Sequence, residues 1–167
     1  MGVKISVAVL LAVTAVLVPC ATAQEMGDFT LETLDGELFT LSDHLGEKVI
    51  LLTFFTSYCK PCMEEHPHLE RLWRDYGGQG LLVIAVNSDE PGNISKVHGW
   101  VRRYRLTFPV LLDGDFSITR QYDPDETFPL TMLIGRDRQV HHIYAGYNPG
   151  DEKGLEEDLI VLLESGQ

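Results

Sequence analysis

Two uninterrupted apolar runs, Val49-Ile-Leu-Leu-Thr-Phe-Phe-Thr56 and Leu81-Leu-Val-Ile-Ala-Val86, do most to limit the folds open to this chain. Neither alternates and both are rich in strand formers, so each reads as a strand buried on both faces. Between them Met63, His66, Leu69, Leu72, Trp73 and Tyr76 fall near helical spacing, and Gly77-Gly78 is expected to stop that helix. Buried strand, helix and buried strand imply a parallel βαβ unit with a right-handed crossover, and so an α/β sheet.

The rest of the chain extends that sheet. Phe29–Leu34 and Glu37–Leu41 flank Asp35-Gly36 as two short alternating runs, a hairpin signal. Ile94–Tyr104 has helical spacing, weakened in the middle by Val97-His-Gly-Trp100. Phe108–Leu112 reads as a short strand ending at Asp113-Gly114, and Phe116–Tyr122 as one or two helical turns. Thr131–Ile134 and Val140–Ala145 flank Gly135-Arg-Asp-Arg138 as a second hairpin. Leu155–Glu164 is a helix with acids near its start, where the dipole favours them. The order is one α/β domain with an antiparallel pair at its end, without repeat or linker.

Ahead of the domain, residues 1–23 carry one cation, Lys4, an apolar run from Ile5 to Val18, and the small-x-small pattern Ala21-Thr22-Ala23. This is the pattern of a secretory signal peptide cleaved after Ala23, with a short membrane anchor as the alternative; the domain is then 24–167. Leu17-Val18-Pro19-Cys20 is a poor lipoprotein box because proline precedes the cysteine, so Cys20 is expected to be discarded. Cleavage removes Lys4 and no acid, moving the formal net charge from −12 to −13 and arguing against nucleic acid and anionic membrane surfaces as partners. The two remaining cysteines form a CxxC, whereas a secreted disulfide scaffold would spread more of them along the chain. They point to chemistry.

Cys59-Lys60-Pro61-Cys62 lies where the first buried strand gives way to its helix, the edge at which open α/β sheets place their sites. Free backbone N–H groups, the helix dipole and Lys60 all favour a thiolate at Cys59. Cys59 is thus the candidate nucleophile and Cys62, a turn further in, the resolving thiol that opens a mixed disulfide. A metal site built from Cys59, Cys62, His66 and His68 is disfavoured. The two histidines are two apart on a helix and point in different directions, and no second cysteine pair closes a tetrahedron. A copper carrier would use a wider cysteine spacing. No metal and no cofactor is therefore expected. His141-His142 reads as a strand pair with one side chain on each face, Trp73 and Trp100 as core, and Glu156-Glu-Asp158 as a solvated helix face.

Five ordered segments, Cys59-Lys-Pro-Cys62, Glu65-His-Pro67, Val83-Ile-Ala-Val-Asn-Ser-Asp-Glu90, Phe108-Pro-Val-Leu-Leu-Asp113 and Phe128-Pro-Leu-Thr-Met-Leu-Ile134, resemble the thioredoxin superfamily. The likeness is in particular to its extracytoplasmic TlpA/ResA-like thiol-disulfide oxidoreductases. The resemblance implies a thioredoxin-like fold: a central mixed sheet flanked by helices, an N-terminal β-hairpin, and a helix-strand insertion from about Asn87 to Tyr122. It also implies a cis peptide before Pro129, facing the CxxC, with Phe128 and Pro129 binding an extended substrate beside Tyr58, Lys60 and Pro61. Pro67 would kink the first helix. Two departures stand out. Thr53 occupies the place of thioredoxin's buried acid, and by resemblance Glu90, buried after the second strand, would take its role as proton acceptor. Tyr58 replaces the usual tryptophan.

The activity implied is that of a periplasmic or extracytoplasmic oxidoreductase, cleaved free or anchored. It would work as a monomer that reduces protein disulfides, such as those of apocytochrome haem-attachment or copper-site cysteines, and be recharged by a membrane thiol reductase. Two alternatives stay open. One is a peroxiredoxin-like thiol peroxidase, whose threonine-x-x-cysteine setting Thr56-Ser-Tyr-Cys59 shares. The other is a non-catalytic binding module with a static disulfide.

Overall fold

In the computed structural model, which describes residues 27–165, the two apolar runs form β3 (Val49–Phe55) and β4 (Leu81–Asn87), buried at every position. They pair in parallel from Val49 against Leu81 to Phe55 against Asn87, and α1 (Lys60–Tyr76) makes the crossover. The expected signal segment 1–23, with Cys20, lies outside the described residues.

The remaining strands are β1 (Thr30–Thr33), β2 (Leu38–Thr40), β5 (Val110–Leu112), β6 (Leu130–Ile134) and β7 (Val140–Ala145). The sheet order is β2-β1-β5-β4-β3-β6-β7. β5 runs parallel to β4, β6 antiparallel to β3, and both expected hairpins form, β1–β2 at one edge and β6–β7 at the other. The helices are α2 (Ile94–Tyr104), α3 (Ser117–Tyr122) and α4 (Asp151–Glu164). The sequence between β4 and β6 thus contributes α2, β5 and α3.

Side-chain alternation along β3 divides the core. Val49, Leu51 and Phe55 pack with Leu69 and Leu72 of α1, Val97 and Trp100 of α2, and Leu155 and Leu159 of α4. Ile50, Leu52 and Phe54 pack on the other face with Phe29, Leu41 and the partly buried Ile118 and Tyr122. Thr53 belongs to the first series and faces α1.

Element ends depart from the sequence expectations for identifiable reasons. α1 begins at Lys60, because Cys59 is its N-cap and proline fits the first turn. α1 stops at Gly77-Gly78 as the sequence implies, Gly77 being its C-cap with helical angles; a 3-10 turn over Gly77–Gln79 follows, and Gly80 takes the left-handed conformation at φ +105°. A Cβ there would also lie 2.7 Å from the Arg136 guanidinium. α2 runs unbroken through Gly99, which faces open space while Val97 and Trp100 are buried. α4 starts at Asp151, so Asp151 and Glu152 occupy its first turn.

Leu51 is fully buried at the centre of β3. Truncation by Leu51→Ala should cost about 3 kcal/mol of stability, read from urea unfolding, without changing the thiol-disulfide exchange constant of the Cys59–Cys62 pair.

Candidate active site

The site grows from the end of β3. Backbone pairing with β4 ends at Phe55 against Asn87, and the next residues, Thr56 to Tyr58, cross to the start of α1. Buried Asp89 fixes that crossing. Its carboxylate accepts from Ser57 N (2.8 Å), Ser57 Oγ (3.1 Å) and Asn87 Nδ2 (2.8 Å). The chain then delivers Cys59 as the N-cap of α1, with the Cys62 N–H donating to its sulfur at 3.2 Å. An N-cap sulfur that receives a helical N–H is placed to carry negative charge.

Cys59 and Cys62 are joined by a disulfide, with their Cα atoms 5.4 Å apart. They differ in access: Cys59 retains 8 % of its surface and Cys62 none. Tyr58 beside them is 69 % exposed, and Lys60 projects into solvent, 4.0 Å from Glu64. Pro61 lies in the first turn of α1 and is partly buried. The Phe128–Pro129 peptide is cis. Because Phe54 pairs with Leu130, the same register sets Pro129 next to Phe55, at the end of β3 from which the CxxC loop departs. Pro129 is buried and Phe128 partly so, and the carbonyl of Pro129 accepts from Gly146 N at 2.7 Å.

Glu90, expected to be the buried acid, is exposed, at the N-terminus of a short 3-10 turn. The buried acid beside the cysteines is Glu65, one turn beyond Cys62 on α1 and 3 % exposed. The Thr131 hydroxyl donates to its Oε1 at 2.8 Å, and the Thr53 hydroxyl donates to its Oε2 at 3.4 Å. The two hydroxyls lie 2.9 Å apart, on residues paired directly across β3 and β6. Burial pushes the Glu65 carboxyl up to about 7, the two hydroxyls pulling weakly the other way. A cavity of about 260 Å³, lined by Glu65, His68, Tyr144, Tyr147 and Leu155 among others, adjoins this acid.

The two histidines of α1 diverge as their spacing implies. His68 borders that cavity, its ring 6.0 Å from Tyr147. His66 is fully buried against Phe55, Trp100 and Phe108, and burial pushes it down to about 3, so its ring is neutral. Among the described residues, no group of three His, Cys, Asp or Glu side chains could hold a metal ion, and no helix is long and apolar enough to cross a membrane.

Comparison with known proteins agrees with this geometry. Residues 21–159 match the redoxin family. Over 137 residues the chain is 36 % identical to the thiol-disulfide oxidoreductase ResA of Halalkalibacterium halodurans, covering 82 % of this chain and 74 % of that one. It is also 36 % identical to the thioredoxin-like protein YneN of Bacillus subtilis, over 74 % of this chain and 71 % of that one. Among solved structures, a candidate DsbE thiol:disulfide interchange protein of Chlorobium tepidum superposes with a TM-score of 0.77 at 28 % identity. That match covers 84 % of this chain and 96 % of the other.

The two buried ionisable groups pull stability in opposite directions with pH. Between about 4.5 and about 7 folded Glu65 keeps a proton that the unfolded chain releases, so its contribution falls as pH rises. Between about 3 and 6.5 the unfolded chain protonates His66 and the folded one does not, so that contribution falls as pH drops. In the wild type the slopes largely cancel where they overlap. Glu65→Gln removes only the first. The unfolding free energy of the variant relative to wild type should therefore climb by about 1.4 kcal/mol per pH unit across that window, to about 3 kcal/mol, and level off above it. Urea titrations of both disulfide forms from pH 4 to 8 check this, and a pH-independent difference would show that Glu65 ionises freely.

Proposed function

The chain belongs to the redoxin family, and from that premise we propose that it serves as an extracytoplasmic reductant of protein disulfides. It is a thiol-disulfide oxidoreductase of the ResA/DsbE type whose redox disulfide is Cys59–Cys62. The observation that carries the reductant direction is the pairing of a fully buried Cys62 with a buried acid one turn away. A reductant must deprotonate its inner thiol to finish each turnover, and an acid near 7 suits that transfer at neutral pH.

The reaction follows from the layout. In the dithiol form, the Cys59 thiolate at the helix N-terminus attacks one sulfur of a substrate disulfide, and the other substrate sulfur leaves. Cys62 then gives its proton to the Glu65 carboxylate and attacks the Cys59 sulfur, which releases the second substrate thiolate and forms Cys59–Cys62. Glu65 takes the role that the sequence assigned to Glu90. The exposed Tyr58 and Lys60, with Pro61, Phe128 and Pro129 at the end of β3, form the face against which an extended substrate segment lies. The signal-like segment 1–23 supports an extracytoplasmic location, by cleavage or by anchoring. There the protein would act as a monomer on cysteine pairs such as those of apocytochromes or copper sites, and a membrane thiol reductase would return two electrons to the pair.

The test is the equilibrium reduction potential of residues 24–167 in defined dithiol buffers. A value near or below about −250 mV is expected, and one near −120 mV would make the protein an oxidant and overturn the proposal. Glu65→Gln should slow release of a trapped mixed disulfide about 100-fold at pH 7. It should also remove the rise of that rate through pH 7, while the first attack by Cys59 keeps its wild-type rate.

A further inference from the structure

His66 is a polar side chain in an apolar place. It is fully buried, and neither ring nitrogen has a hydrogen-bond partner. Its ring centroid lies 4.6 Å from that of Phe55, 5.2 Å from Trp100 and 6.1 Å from Phe108. The indole N–H of Trp100, which packs against His66, is also unpartnered. Leaving such a group unsatisfied is costly, and an apolar side chain of similar size would avoid that cost. Packing alone gives no reason for a histidine here.

Position on the helix does. Long side chains of an α-helix lean toward the preceding turn, onto the residue four before them. For His66 that residue is Cys62. In the disulfide the Cys62 sulfur has no hydrogen to donate. In the dithiol it has one, in a setting from which solvent is excluded. Glu65 points toward Thr53 and Thr131, while His66 lies among Phe55, Trp100 and Phe108.

We propose that His66 is a positioning residue of the reduced state, its unprotonated ring nitrogen accepting a hydrogen bond from the Cys62 thiol once the disulfide opens. The inference rests on the reading that Cys59–Cys62 cycles. When a dithiol partner reduces the pair, the partner's S–S bond forms and the Cys59–Cys62 bond breaks. Two electrons and two protons pass, leaving a hydrogen on each cysteine. His66 holds the resting Cys62 thiol, and Glu65 receives its proton when Cys62 attacks. Because the His66 contact exists only in the dithiol, it makes the pair easier to reduce.

His66→Leu, which suits the apolar shell, should shift the exchange constant with a dithiol buffer three- to tenfold toward the disulfide. That moves the potential about 15 to 30 mV more negative. A purely structural histidine would alter the stability of both redox forms and leave the constant at its wild-type value, which would overturn the inference. A second reading needs no variant: in wild-type protein with ¹⁵N-labelled histidine, the His66 ring-nitrogen resonances should move on reduction. Resonances that stay fixed between the two redox states would count against the hydrogen bond. Failure of the wild-type pair to equilibrate with any dithiol buffer would instead sink the oxidoreductase reading itself, so the two failures are distinguishable.

Discussion

The carboxyl of Glu65, one turn from Cys62 on α1 and held by the hydroxyls of Thr53 and Thr131, is the interaction on which the rest of the site depends. An ionised carboxylate in that position would be expensive, and a neutral one needs hydrogen-bond partners. The sheet supplies them through register. Thr53 and Thr131 sit directly opposite one another on β3 and β6, so both hydroxyls emerge on the face that α1 covers. A slip of one residue in that pairing would turn the β6 hydroxyl to the opposite face. The parallel and antiparallel partners of β3 are therefore requirements of the chemistry as well as of the core.

The two cysteines acquire different roles from one helix terminus. Cys59, at the N-cap, accepts the Cys62 backbone N–H and retains some solvent access; Cys62, inside the first turn, is fully buried. Asp89 makes this reproducible by anchoring Ser57 from the end of β4. The loop before the nucleophile is then tied to the neighbouring strand as well as to its own helix. Such double anchoring keeps a reactive group from drifting out of line with the groups that serve it.

The sheet was legible because β3 and β4 are apolar at nearly every position, a pattern that few alternatives share. The cysteines were legible because their spacing coincides with a strand-to-helix junction. The acid was not. Thr53 stands where an acid is usual, and the resemblance points to Glu90 at the end of β4 as its replacement, but Glu90 is exposed. Glu65 is hidden from sequence reading because hydropathy patterning treats an acid within a helix as solvent-facing, and what buries it lies far along the chain, on β6. Two threonines interrupting otherwise apolar strands, with an acid three residues after Cys62, were the available signal. Asp89 carries no sequence signal of its own, since its partners become visible only when β4 ends beside Ser57.

Glu65 and His66 are neighbours on α1, and burial drives them in opposite senses: the acid holds its proton up to about 7, and the imidazole refuses one down to about 3. Over the range between, both are neutral, so the interior around Cys62 carries no fixed charge while the disulfide is closed. Charge in the reaction is thereby confined to the other end of the CxxC, where Cys59 has helix N–H groups, Lys60 and water to solvate a thiolate. The inner end handles protons. A strongly acidic chain, with a formal net charge of −12, would otherwise be a poor setting for an anionic nucleophile. Placing the thiolate at a helix N-terminus, and raising the nearest acid to about 7 so that its ionised form near neutral pH can take the Cys62 proton, lets the same fold stabilise an anion at one sulfur and remove a proton from the other.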